Sequence, residues 1–185
     1  MKAVVTTVSA VAVLLLATGS ASYGHQAQSA APCSGQVHPN PGFERGTTGW
    51  TAGPRIVVLG DQARPAHAGR AYATFAGLDV TRTDSLRGAV TVPAGCNLTV
   101  SFWARAATTE TMRGDYLNVG LSVTGTPPKT VFSLSYDHSP QWQQHSSSTG
   151  TATTERAASV SFFSSETAGN GVTSFDVDDV TFTLS

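Results

Sequence analysis

Short runs of β-branched and aromatic residues recur along the chain, and turn-forming Gly, Pro and Asp residues separate them. No segment shows the apolar period of an amphipathic helix, so the pattern predicts strands. The predicted strands are 55–59, 70–76, 85–92, 98–106, 116–123, 130–136, 142–148, 158–164 and 173–184. Their regular spacing is typical of an all-β, two-sheet β-sandwich.

Alternation within the strands indicates which face is buried, because successive side chains point to opposite faces of a sheet. In the strand 98–106, Leu98, Val100 and Phe102 are predicted to face the core, which leaves Trp103 and Arg105 on the other face. The next strand behaves in the same way. Its polar face carries Tyr116 and Asn118, opposite Leu117, Val119, Leu121 and Val123. We therefore expect two adjacent polar faces that each carry an aromatic ring.

The last strand changes its alternation halfway. Phe175 and Val177 occupy odd positions, whereas the apolar residues from Val180 onward occupy even ones. A β-bulge, which inserts one extra residue, returns both halves to the core, and the slip falls at Asp178 and Asp179. An acidic pair at a bulge indicates a cation site. The alternative is that these carboxylates end a turn and face water, as surface Asp residues usually do.

The N-terminus predicts export. Lys2 precedes an uncharged, apolar run at 3–17, and this run of about fifteen residues is shorter than the roughly twenty that a membrane span needs. We expect a signal peptide at 1–21, with cleavage as late as residue 31. A flexible segment at 22–32 and one domain at 33–185 would follow. The mature protein is then secreted and extracellular, with no membrane span.

The two cysteines, Cys33 and Cys96, would enter an oxidising compartment. An even number of cysteines there usually means a disulfide, so we expect them to be paired. The alternative is a metal or redox pair, but the sequence has no CxxC and no His near a Cys.

The charge of the chain and the motifs that it lacks argue against several classes of function. A net charge of −1 and a charged fraction of 12% argue against nucleic-acid binding, which needs clustered Lys and Arg. The sequence has no GxSxG and no HExxH, and its histidines show no ligand spacing. Glycoside hydrolysis needs two carboxylates across a cleft. The sequence does not exclude this role for a pair such as Asp84 and Asp115, but it gives no positive support for it. We expect no catalysis.

Five motifs in order resemble the carbohydrate-binding modules of families 4, 9 and 22, which are jelly rolls of the galactose-binding-like class. The motifs are Asn40-Pro41-Gly42-Phe43-Glu44 with Gly49-Trp50, His67-Ala68-Gly69-Arg70, Ser101-Phe102-Trp103-Ala104-Arg105-Ala106, Trp142-Gln143, and Val177-Asp178-Asp179-Val180. The resemblance covers essentially the whole mature chain. It implies a jelly-roll fold for residues 33–185.

The resemblance also implies a structural calcium ion that ties the first strand to the last. Its ligands would include the carboxylates of Glu44 and Asp178 and the backbone carbonyls of Gly42 and Arg70. Calcium takes six to eight such oxygens. The implied role of the ion is stability rather than chemistry.

The implied partner is a polysaccharide or oligosaccharide bound on the concave sheet by a monomeric module. Trp103 and Tyr116 would be the aromatic platforms, and the hydrogen-bonding residues would be Arg82, Asp84, Arg105 and Asn118. Trp103 could instead pack under a loop. The main rival is a secreted protein-interaction or cell-surface structural module without a sugar site. A jelly-roll hydrolase or lyase is a further alternative, since a fold alone does not decide function.

Overall fold

Two antiparallel sheets make up the chain in its computed structural model, which describes residues 33–135 and 139–185. The strands are β1 (Gly35–Gln36), β2 (Trp50–Ala52), β3 (Val57–Leu59), β4 (Ala71–Ala76), β5 (Arg82–Val92), β6 (Asn97–Thr108), β7 (Tyr116–Val123), β8 (Lys129–Ser135), β9 (Ser139–Thr151), β10 (Arg156–Glu166) and β11 (Thr173–Leu184). The six-stranded sheet has the order β3-β4-β11-β6-β9, with β1 also paired to β11. The five-stranded sheet has the order β2-β5-β10-β7-β8. The predicted all-β, two-sheet sandwich is confirmed.

The core lies between the two sheets and is built from the alternate residues that the sequence pattern assigned to it. Leu98 and Phe102 of β6 and Leu117 of β7 are buried. The rings of Phe102 and Phe162, one from each sheet, meet edge to face with their centroids 5.2 Å apart. Such pairs add about 0.5–1.5 kcal/mol beyond the burial of their area.

Two of the predicted strands have the observed bounds, namely 116–123 and 173–184. Four strands, β5, β6, β9 and β10, extend beyond their predicted bounds at one or both ends. Sequence reasoning missed β1 and β2, which are only two and three residues long and so show no alternation. The predicted signal peptide, the flexible segment and Tyr136 lie outside the described residues.

The predicted β-bulge is present in β11. Asp178 pairs with Trp103 and Thr181 pairs with Ser101, so two residues of β11 stand opposite one residue of β6. Asp179 takes the left-handed conformation, with φ of 48°. Val177 before the bulge and Val180 after it are both buried, which is the reason the alternation slips.

The predicted disulfide joins Cys33 to Cys96, across a sequence separation of 63 residues. It links the segment that precedes β1 to the turn that precedes β6. None of the described residues forms a helix that could cross a membrane.

Candidate binding site on the two outer faces

The sandwich separates the predicted site residues. Trp103 and Arg105 lie in β6 of the six-stranded sheet, whereas Tyr116 and Asn118 lie in β7 of the five-stranded sheet. Residues 109–115 connect the two strands across the layers. The two polar faces are therefore on opposite sides of the molecule, and the expectation that they are adjacent was wrong.

Arg82 and Asp84 lie on neither outer face. Asp84 is buried and its Oδ2 accepts a hydrogen bond of 3.0 Å from the Ala76 backbone N–H. Arg82 forms an ion pair with the Asp84 carboxylate. These two side chains hold the connection between β4 and β5, at one end of the sandwich.

The outer face of the five-stranded sheet carries an exposed aromatic ring that sequence reasoning missed. Phe163 of β10 is 40% exposed, and its ring centroid lies 6.4 Å from that of Tyr116. Phe163 stands between Asn118 of β7 and Ser85 of β5. The alternation in β10 contained the signal, because the buried residues on either side of its position place Phe163 outward.

Polar groups surround these two rings. Asn118 Oδ1 accepts a hydrogen bond of 2.7 Å from the Ser133 hydroxyl, which orients the amide. Arg87 of β5 is exposed, and its Nη2 donates a hydrogen bond of 3.0 Å to the Ser159 hydroxyl of the neighbouring strand β10. Gly120 of β7 lies in the same row across the sheet as Arg87 of β5, because both residues pair with Ser161 of β10. A β-carbon at Gly120 would contact only a backbone oxygen, at 3.9 Å. The face is thus shallow beside the rings.

The outer face of the six-stranded sheet is covered by the loop between β3 and β4. The His67 ring of this loop stacks on Trp103 with centroids 4.0 Å apart. Arg64 of the same loop and Arg105 both bind the buried Asp176 carboxylate, at 2.7 and 2.8 Å. Trp103 and Arg105 therefore help to attach the loop, as the alternative for Trp103 anticipated.

The residues of the predicted calcium site lie where the loop meets the bulge. Glu44 Oε1 accepts hydrogen bonds from the backbone N–H groups of Ala71 at 2.8 Å and Arg70 at 2.7 Å. These two bonds lower the pKa of Glu44. Gly69 faces the same carboxylate with φ of +64°, and a β-carbon there would overlap Glu44 Oε1.

Asp178 is fully buried beside this point. Its Oδ2 accepts hydrogen bonds from the His67 and Ala68 backbone N–H groups at 2.9 and 3.2 Å. Burial nevertheless raises the pKa of Asp178 to about 7, because desolvation disfavours the charged carboxylate. Gly42 is packed close, since a β-carbon there would lie 3.1 Å from Asp179 Oδ1 and 3.9 Å from Asp178 Oδ1.

One cavity of about 520 Å³ is lined by two of the four predicted ligands, Gly42 and Glu44, together with Asp179; Arg70 and Asp178 do not line it. Within residues 33–135 and 139–185, no group of three or more His, Cys, Asp or Glu side chains is placed to hold a metal. A cation at this point would therefore need backbone carbonyls as well as carboxylates. Calcium accepts such a mixed set of oxygens.

The carboxylates considered for glycoside hydrolysis are both buried. Asp115 is inaccessible, and it accepts backbone hydrogen bonds from Thr167 at 2.8 Å and Thr173 at 3.3 Å. Asp84 accepts a hydrogen bond from the Ala76 backbone N–H and forms an ion pair with Arg82. Both side chains stabilise loops at the end of the sandwich.

No model of a known protein family matches the chain, and no curated protein matches it. Solved structures do match. A family 61 carbohydrate-binding module in complex with β-1,4-galactotriose is 23% identical, with a TM-score of 0.56, covering 82% of this chain and 99% of that chain. A family 16 carbohydrate-binding module is 15% identical, with a TM-score of 0.52, covering 79% and 98%. A cyclase from Fischerella sp. TAU is 12% identical, with a TM-score of 0.54, covering 82% and 96%.

At these identities the likeness shows the fold. It is a jelly roll of the carbohydrate-binding-module type, as the sequence motifs predicted. The cyclase shows that the same fold also occurs in an enzyme.

Proposed function

We propose that the chain is a carbohydrate-binding module whose site is the outer face of the five-stranded sheet. The exposed Phe163 ring beside Tyr116 supports this assignment most directly. A pyranose ring has an apolar C–H face and a rim of hydroxyls, so it binds where an aromatic ring lies among hydrogen-bonding groups. Among the residues that the structure describes, the covered face that holds Trp103 offers no comparable open ring.

Polar side chains beside the two rings can donate hydrogen bonds to sugar hydroxyls. The side-chain carbonyl oxygen of Asn118 accepts a hydrogen bond from the Ser133 hydroxyl. Its two amide N–H groups are therefore left to donate to a ligand. Arg87 supplies further donors on the next row, beyond Ser161. Of the six predicted ligand-binding residues we retain Tyr116 and Asn118, and we add Phe163 and Arg87.

The shape of the face favours a chain segment over a single buried sugar. Small side chains occupy the row beyond the rings, where Ser161 of β10 pairs with Gly120 of β7. This row leaves room for a polysaccharide or oligosaccharide to lie across the strands.

We further propose that the module is secreted, acts as a monomer, binds no nucleic acid and catalyses nothing. The apolar N-terminal run supports secretion. The low charge of the chain weighs against nucleic acid. The carboxylate pair Asp84 and Asp115 is committed to loop hydrogen bonds, which weighs against acid–base chemistry by that pair.

Binding to a polysaccharide panel that includes β-1,4-galactan, by affinity electrophoresis and calorimetry, tests the sugar site. A Phe side chain buries about 200 Å², so a ring that is 40% exposed leaves about 80 Å² for a sugar. At ~25 cal/mol per Å² this contributes about 2 kcal/mol, or roughly 30-fold in Kd. We expect Phe163→Ala to weaken binding by about that factor.

Leu59→Ala is the matched control, because Leu59 is an exposed apolar residue on the six-stranded sheet. It should leave the Kd unchanged. A folded protein that binds no glycan would refute the proposal and favour the protein-interaction module. Turnover of a glycan on the same panel would instead show an enzyme.

We also propose a structural calcium ion held by the carboxylates of Glu44 and Asp178 with the carbonyls of Gly42 and Arg70. The buried Asp178 carboxylate, whose pKa burial raises to about 7, would gain a counter-charge from such an ion. The Arg70 carbonyl accepts a hydrogen bond of 2.7 Å from the Gly60 N–H, and its second lone pair would serve the ion. The ion would tie the segment before β2 to the bulge of β11. Its role would be stability.

Thermal unfolding with calcium or with a chelator tests this site. Calcium at a hundred times its Kd stabilises by about 2.7 kcal/mol, which is roughly 5–11 °C for a domain of this size. Asp178→Asn should abolish the difference, whereas Asp61→Asn, an exposed carboxylate on the covering loop, should keep it. Equal melting temperatures of the wild-type protein with calcium and with chelator would overturn the assignment.

A further inference from the structure

The charged side chains of the described strands are divided unequally between the two sheets. On the strands of the five-stranded sheet the basic residues are Arg82, Arg87, Lys129 and Arg156, and the acidic residues are Asp84 and Glu166. On the strands of the six-stranded sheet the basic residue is Arg105, and the acidic residues are Asp176, Asp178 and Asp179. The five-stranded sheet is therefore the positively charged side of a chain whose net charge is −1.

The two acidic residues of the five-stranded sheet do not face its outer side. Asp84 is buried and forms an ion pair with Arg82. Glu166 is buried as well, and its Oε1 accepts a hydrogen bond of 2.6 Å from the Asp79 backbone N–H. Both carboxylates thus bind groups at the end of the sandwich. An anionic ligand on the outer face would meet no exposed carboxylate from the described strands of this sheet.

Arg87 places a positive charge on the outer face itself. It pairs with Ser161, which lies on the same side of β10 as Phe163. The Arg87 Nη2 donates a hydrogen bond of 3.0 Å to the Ser159 hydroxyl, so the guanidinium lies over β10, the middle strand of the sheet. The side chain is exposed, and its remaining N–H groups are therefore accessible to a ligand.

The Phe163 ring and the Arg87 guanidinium border the same shallow strip of the face. Phe163 and Ser159, the residue that holds the guanidinium, are four positions apart in β10, which is about 14 Å at ~3.4 Å per residue. Between them lies the row in which Ser161 pairs with Gly120, where the side chains are small. A sugar chain in this strip would have an aromatic ring on one side and a cation on the other.

We propose that this site prefers an acidic polysaccharide, in which a uronic acid residue places its carboxylate on Arg87 while a sugar ring contacts Phe163. A guanidinium can donate two parallel hydrogen bonds to a carboxylate, and such charge-assisted bonds are stronger than bonds between neutral groups. The bond to Ser159 already orients the guanidinium, which lowers the entropic cost of binding. The inference rests on the sugar site proposed above and names the class of glycan that it takes.

Calorimetry with polygalacturonate, polyglucuronate and alginate tests this preference, each polymer being compared with its own carboxyl-reduced form. Reduction replaces each carboxylate by a hydroxymethyl group and leaves the linkages unchanged. We expect at least one polymer to bind about tenfold more tightly than its reduced form. Its affinity should fall as the ionic strength rises from about 0.01 to 0.15 M, because the Debye length falls from ~30 to ~8 Å.

Variants assign the preference to one side chain. Arg87→Gln removes the cation and should abolish the preference for the acidic form. Arg55→Gln is the matched control, because Arg55 is an exposed arginine in the connection between β2 and β3, and it should keep the preference. Phe163→Ala should weaken the binding of both forms alike, since the ring contacts the sugar and not its charge.

The outcomes separate this inference from the function on which it rests. Equal affinity for the acidic and reduced forms of every polymer that binds would overturn the uronate assignment and leave the sugar site standing. A preference that survives Arg87→Gln or is lost in Arg55→Gln would overturn it too. Dextran sulfate bound as tightly as the best uronate polymer would do the same, because the site would then respond to negative charge alone. If no glycan bound at all, the proposed function would be refuted, and this inference with it.

Discussion

Replacing Trp103 by Ala distinguishes a binding role from a structural one. The indole packs against the outer face of the six-stranded sheet, and the His67 ring stacks on it with an interplanar angle of 18°. A Trp side chain buries about 150–250 Å² in total. Removing about 120 Å² of contact costs about 3 kcal/mol at ~25 cal/mol per Å². For a domain of this size, that lowers the melting temperature by roughly 6–12 °C.

The assay is urea unfolding of the wild type and the variant, with glycan binding measured on the same preparations. We expect the free energy of unfolding to fall while the affinity for glycan on the five-stranded sheet stays unchanged. Trp103→Phe keeps a ring against His67 and should lose less stability than Trp103→Ala. If Trp103→Ala lost glycan binding with its unfolding free energy intact, the covered face would be the sugar site and our placement would be refuted.

Three further predictions follow from other parts of the fold. Removing the disulfide by Cys33→Ala with Cys96→Ala should lower the free energy of unfolding by about 4 kcal/mol, as its 63-residue separation implies in the chain-entropy model; an unchanged urea midpoint would contradict this. Burial lowers the pKa of His38 from 6.5, so the contribution of His38 to stability should be complete above that pH and decline as pH falls below it towards the folded pKa. The difference in unfolding free energy between the wild type and His38→Gln, measured in urea across this range, isolates this contribution from that of Asp178, whose raised pKa acts in the opposite sense; a difference that does not change with pH would contradict the prediction. Gly69→Ala should cost more than the roughly 1–2 kcal/mol of left-handed strain, because a β-carbon there would displace the Glu44 carboxylate from its hydrogen bonds with the Arg70 and Ala71 N–H groups. Gly46→Ala has nearly the same φ and open space around it; equal losses in the two variants, measured by thermal unfolding, would argue against that displacement.

The sequence predicted much of the architecture because period-two alternation reports burial residue by residue. Phe175 occupies an odd position and Val180 an even one. Only an extra residue between them returns both side chains to the core, so the sequence alone predicted the bulge. The sequence pattern did not predict the two-residue strand β1. Such a short strand depends on pairing with β11, a partner almost 150 residues away.

Alternation says that a side chain points outward, but it does not say from which sheet or what lies above it. Tyr116, Asn118 and Phe163 share one face because β7 and β10 pair, which sequence order does not reveal. Trp103 points outward as predicted, yet the loop carrying His67 folds over it. The sequence by itself determined the longer strands, their buried faces, the bulge and the disulfide, since these depend on local pattern or on a single pair of cysteines. Only the tertiary structure decided which outward faces stay open to a ligand, because that depends on long-range strand pairing and on loop packing.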